Sequence, residues 1–84
     1  MQPVHDEQMV RRIAAIVAKI AEKDEAVIQA NTDLREELGI DSMMGLEIMF
    51  GVEKEFKVHL KEEDLPKMRT ISGIIGLLQG KTQG

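Results

Sequence analysis

Leu38-Gly39-Ile40-Asp41-Ser42-Met43, at the middle of an 84-residue chain, ends one helix and begins another. Glycine tolerates the left-handed backbone that closes a helix, so Gly39 stops the short helix carrying Leu34 and Leu38. Asp41 is a favoured N-cap for the helix that follows. Ser42 then falls in the first helical turn, with its hydroxyl at a surface-facing helix start. Such a start has unpaired N–H groups and a partial positive charge, and a phosphate attached there is favoured.

Helical spacing continues on both sides of this junction. From about Asp6 to Lys23 the apolar residues Met9, Val10, Ile13, Ile16, Val17 and Ile20 recur at helical intervals and do not alternate. Ala14, Ala15, Ala18 and Ala21 add propensity. Asp6 and Glu7 suit the start of this helix, and Lys19 and Lys23 its end. A long connection follows from Asp24 to Asp41, with Val27 and Ile28 expected to anchor it and Asn31-Thr32-Asp33 as a turn or cap signal. A connection of this length needs structure of its own or a function.

The second long helix is expected over about Ser42 to Phe56. At about 100° per residue, Leu46, Met49, Val52 and Phe56 form its core stripe. Met43, Glu47, Phe50 and Lys54 form another, aligned with Ser42. Mixed apolar and charged, it suits a partner-facing surface, with half-burial of Met43 and Phe50 as the alternative. Gly45 and Gly51 each cost about 1 kcal/mol relative to alanine inside a helix. Gly45 either leaves room for a neighbouring helix or bound chain, or is simply tolerated. Lys61-Glu62-Glu63-Asp64-Leu65-Pro66 reads as a short third helix that Pro66 ends or distorts. Thr70 caps a last helix carrying Ile71, Ile74, Ile75 and Leu78, with Gly80 as its end signal and residues 81–84 fraying. The fold class is therefore all-α: a small four-helix bundle with a long first loop and a short third helix. One domain over 1–84 is expected, with an ordered core of about 6–79.

Composition narrows the function. Hydrophobic content of 43% argues for a folded chain, and with Phe50 and Phe56 as the two aromatics the core must be aliphatic and methionine. Without cysteine there is no disulfide, zinc-thiolate site or cysteine nucleophile. No apolar run reaches membrane-spanning length, and Met1 to Glu7 lacks a signal peptide's basic start and apolar middle. A cytoplasmic, monomeric protein is expected.

Residues 24–64 carry twelve acids against four bases, a local −8, while the remainder is +4. The acidic part surrounds Ser42. It repels nucleic acid and attracts basic protein surfaces, although charge alone reads first as a solvated face. Nor does the sequence suit an enzyme. A serine nucleophile needs a base, and the two histidines, His5 and His59, lie away from Ser42 in sequence. The acids between Asp24 and Glu37 do not match a calcium loop, and no metal site is expected. The glycines are scattered and do not form a phosphate-cradling loop.

Between Thr32 and Phe56, the spacing of Leu34, Leu38, Gly39, Asp41, Ser42, Leu46, Glu47 and Phe56 resembles the acyl carrier protein family, and the likeness extends from about Val10 to Leu78. The resemblance implies a 4′-phosphopantetheine arm, taken from coenzyme A and joined to Ser42. It implies acyl intermediates carried as thioesters of fatty-acid, specialised lipid or polyketide synthesis. The implied partners are a phosphopantetheinyl transferase and acyl-loading, elongating and transfer enzymes with basic docking surfaces. The chemistry then lies in the arm's thiol. Asp41, Met43, Met44, Glu47, Phe50 and Glu53 are the candidate partner-facing residues.

Met43 in place of the usual leucine, Met44 in place of an acid and Lys54 in place of another acid depart from the fatty-acid carriers. They point to a free-standing carrier of a specialised lipid or polyketide pathway. A D-alanyl or aminoacyl carrier, and an unmodified helical interaction module, are the alternatives. Met49, with Met9 and Met68, offers an adaptable lining for an acyl chain between the helices, or plain gap-filling.

Overall fold

The computed structural model describes residues 7–83, and all their regular structure is helical. Helix α1 spans Glu7–Ala21, α2 Leu34–Leu38, α3 Ser42–Phe56 and α4 Ile71–Gln83. Two 3-10 segments, Glu25–Val27 and Glu62–Lys67, lie in the connections. His5 and Asp6 lie outside the described residues. The three long helices and the second 3-10 segment pack around one aliphatic core, with the α1–α3 contact the most extensive.

Helix α1 has Glu7 in its first turn and Lys19 in its last, as the helix dipole favours. It buries Val10, Ile13, Ala14, Val17 and Ala18. Ala14 and Ala18 are thus core residues as well as good helix formers. Glu22 closes the helix in the left-handed region at φ 58°, a position where glycine is usual. The next connection is pinned at several points. Asp24 caps the first 3-10 segment, with its Oδ1 accepting from Ala26 N–H at 2.9 Å. Ile28 is fully buried, and its carbonyl accepts from the Arg11 guanidinium at 2.7 Å. Val27 is 58% exposed, so of the expected pair only Ile28 is an anchor. The two are adjacent, and turning one inward turns the other out. Further along, Leu34 N–H donates to the Arg69 carbonyl at 2.8 Å and Ser72 N–H to the Ala30 carbonyl at 3.0 Å, tying the loop to the start of α4.

The core face of α3 is Ile48, Met49 and Val52, with Leu46 and Phe56 only partly buried. The stripe expected through Leu46 is therefore rotated toward Ile48, which is 2% exposed. The reason is the second 3-10 segment, which packs on that side of α3 and widens the buried face. Gly51 has a steric explanation: a Cβ there would stand 2.9 Å from Ile16 Cγ2, where α1 and α3 pack. At Gly45 a Cβ would meet Leu65 Cδ2 at an ordinary 3.8 Å.

The expected short third helix is the 3-10 segment Glu62–Lys67, with Pro66 inside it. The Asp64 carboxylate accepts the Lys61 N–H at 3.0 Å. Thr70 caps α4, its Oγ1 accepting from Gly73 N–H at 3.0 Å, and Ile71, Ile74, Ile75 and Leu78 are buried. Gly80 does not end α4, which continues to Gln83. Glycine permits a left-handed stop without imposing one, and Gly80 keeps φ negative.

Candidate functional site

The site is built at the turn between α2 and α3. Asp33 starts α2, its Oδ1 accepting from Arg35 N–H at 3.0 Å and Glu36 N–H at 2.9 Å. Gly39 ends it in the left-handed conformation at φ 71°, with its N–H donating to the Arg35 carbonyl at 3.1 Å. Ile40 N–H reaches back to the Leu34 carbonyl at 3.1 Å, and its side chain is buried at 6% exposure. This plants the turn in the core. One residue on, Asp41 is extended and its Oδ1 accepts the Met44 N–H at 2.9 Å. Its carbonyl accepts from Gly45 N–H at 2.8 Å, the first main-chain bond of α3. Ser42 is the first residue of that helix and is exposed. Its hydroxyl stands in water beside the positive end of a 15-residue helix.

An open cavity of about 200 Å³ adjoins Ser42. Leu34, Ile40, Ile48 and Met68 give it a buried apolar floor, and Leu65, Pro66 and Gly45 complete the wall. Arg35, Arg69 and Asp41 are its charged lining residues. Met68 is the one methionine in the lining. Met9 and Met49 pack elsewhere against the core, so the expected three-methionine lining is not formed.

The candidate partner-facing residues separate into two groups. Met43 is 69% exposed and Phe50 58% exposed, with Glu47 and Lys54 also exposed between and beyond them. They form an open stripe running from Ser42 along α3. Met44 is half-buried. Glu53 has an internal role: its Oε2 accepts the Leu60 N–H at 2.7 Å and lies 3.6 Å from His59 Nδ1. His59 therefore sits near the far end of α3, roughly 20 Å along the helix from Ser42. No histidine lines the cavity. Arg35, Arg69, Ile40, Leu65 and Pro66 line this cavity without having been expected at the site. No spacing marks them, because the wall is assembled only when the second 3-10 segment packs against α2 and α3.

An exposed serine thus stands at a capped helix start, beside a cavity with an apolar floor. The sequence model for the phosphopantetheine attachment site matches residues 11–78. Polyketide-8 synthase acyl carrier protein 2 of Streptomyces avermitilis is 34% identical over 70 residues, covering 83% of this chain and 80% of that protein. The acyl carrier protein of Onion yellows phytoplasma is 31% identical over 64 residues, covering 76% and 84%. The non-reducing polyketide synthase dbaI of Emericella nidulans is 32% identical over 77 residues, covering 92% of this chain and 3% of that protein.

The chain belongs to the acyl carrier protein family. With the family come a covalently attached 4′-phosphopantetheine, a phosphopantetheinyl transferase that installs it, and synthase enzymes that meet the loaded carrier. Among the described residues no helix is long and apolar enough to cross a membrane.

Proposed function

We propose that Ser42 is the residue that bears the 4′-phosphopantetheine, and that the chain serves a specialised lipid or polyketide pathway as a carrier without catalysis of its own. The observation that carries this reading is the exposed Ser42 hydroxyl in the first turn of α3, next to a cavity with an apolar floor. The residues present fit the arm. The free N–H groups of the first turn favour its phosphate, and the cavity can shelter a short apolar segment of the arm or its cargo. Polyketide synthesis is favoured by two of the relatives, a polyketide synthase acyl carrier protein from a bacterium and a polyketide synthase from a fungus.

The open stripe of Met43, Glu47 and Phe50 is the docking face for enzymes that load and use the cargo. Two apolar side chains with one acid between them make a small contact. The acid-rich surroundings speed encounter, and the small contact keeps release fast. Tethering raises the effective concentration of cargo at each docked enzyme. The carrier acts as a cytoplasmic monomer, and residues 1–84 form one carrier domain.

The test is intact mass after incubation with coenzyme A and a phosphopantetheinyl transferase. The expected result is a gain of one phosphopantetheine unit, lost in Ser42→Ala. Loading that persists in Ser42→Ala places the attachment elsewhere and overturns the assignment. Intact mass of protein purified from its own cell then reads the cargo, and a D-alanyl adduct would overturn the pathway reading.

A further inference from the structure

The cavity beside Ser42 has an apolar floor, yet two arginines line it, Arg35 from the acidic 24–64 stretch and Arg69 from just beyond it. They differ in how they are held. Arg69 donates to Asp33 Oδ2 at 2.9 Å and lies 3.9 Å from Glu36 Oε2, so its charge is largely spent on α2. The Arg35 guanidinium has no hydrogen-bond or ion-pair partner among the described residues. Arg35 is exposed on α2, and it borders both the cavity at Ser42 and a shallower groove that also touches Gly39, Ile40, Asp41 and Arg69. An unspent cation thus stands at the junction where an anion is to be attached.

The need for it is electrostatic. A phosphodiester on Ser42 carries a negative charge next to the Asp41 carboxylate. The α3 start offers partial compensation, but Asp41 already takes the Met44 N–H and the Asp41 carbonyl takes the Gly45 N–H. A guanidinium with several N–H donors supplies both charge and hydrogen bonds to phosphate oxygens. Resting on the reading of Ser42 as the attachment residue, we propose that Arg35 is a positioning residue for the arm, pairing with its phosphodiester and drawing the arm across the mouth of the apolar cavity. Arg69, fixed by Asp33, lines the same cavity. The cargo end is then held toward the cavity until a docking enzyme competes for the arm.

The experiment is NMR on the full chain, unloaded and loaded with phosphopantetheine alone, with intact mass taken on each sample. The Arg35 Nε–Hε resonance is expected to move on loading. It should return toward its unloaded position in about 1 M salt, where the screening length is about 3 Å. In loaded Arg35→Gln the phosphorus resonance shifts and sharpens. Arg35→Lys retains part of the wild-type shift, and Lys57→Gln, which removes a charge beyond the other end of α3, leaves the phosphorus signal unchanged. An Arg35 resonance identical in the unloaded and loaded chain overturns the inference and leaves attachment at Ser42 intact. So does a phosphorus resonance that ignores Arg35→Gln. A chain that gains no mass overturns both. Because the arm bears no acyl group, an anionic cargo cannot produce the expected shift.

Discussion

At the scale of single residues, the two glycines of α3 separate cleanly. Both are expected to cost about 1 kcal/mol of helix propensity relative to alanine. A Cβ at Gly45 fits at 3.8 Å from Leu65, so Gly45→Ala should raise stability by about that amount in urea unfolding. If this variant also accepts and transfers cargo normally, the open space at Gly45 has no special role. A Cβ at Gly51 would press at 2.9 Å on Ile16, a β-branched side chain with little rotameric freedom. Gly51→Ala should therefore lower stability, with overpacking of about 1–3 kcal/mol exceeding the propensity gain.

Asp33 carries a pH signature. Its carboxyl is held below the usual range, first by the Glu36 backbone N–H and then by the Arg69 guanidinium, with burial opposing them. A depressed folded-state value stabilises the native chain above the unfolded value of about 3.9 and loses that contribution as pH falls through the folded one. Asp33→Asn keeps a capping oxygen and loses the charge. Its deficit against the wild type should be present at neutral pH and close below about pH 4, as read by thermal unfolding across pH.

Among the elements, the second 3-10 segment has the largest consequences. It lacks the regular main-chain bonding of an α-helix, Pro66 sits within it, and yet it forms one wall of the cavity. Its entry is fixed by Glu53, which reaches from the last turns of α3 to the Leu60 N–H at 2.7 Å. Glu53→Ala leaves that part-buried amide without its partner, at a cost of about 1–3 kcal/mol. The expected signature is faster amide exchange confined to residues 58–68, while α1 and the start of α3 keep their protection. Uniform loss of protection across the chain would show that Glu53 supports the whole fold instead of this one strap.

For the whole molecule, the core and the cavity share side chains. Ile48 and Met68 belong to the buried cluster and also form the cavity floor, so filling the cavity must be felt in the core. With acyl groups of increasing length on the arm, the methyl resonances of Ile40, Ile48 and Met68 should respond, and those of Met9 and Met49 much less. The response should level off early, because about 200 Å³ is only somewhat larger than a void of about 150 Å³ that takes one benzene. No methyl response at any length would mean that cargo stays outside.

Local rules were enough for the frame. Gly39, Asp41 and Thr70 act at the next few main-chain groups, so stop, start and cap were legible without knowing the fold, and the exposed Ser42 hydroxyl followed from them. Helical spacing identified the buried isoleucines of α1 and α4 for the same reason. The sequence could not rank Val27 against Ile28, prefer Ile48 to Leu46 as the deeper core residue, or predict that α4 runs through Gly80. Those outcomes depend on which neighbour covers which face, and the neighbours are distant in the chain. The cavity and its two arginines belong to this second kind: they exist only because α2, α3 and the 3-10 segment meet, and no periodicity encodes a meeting of three elements.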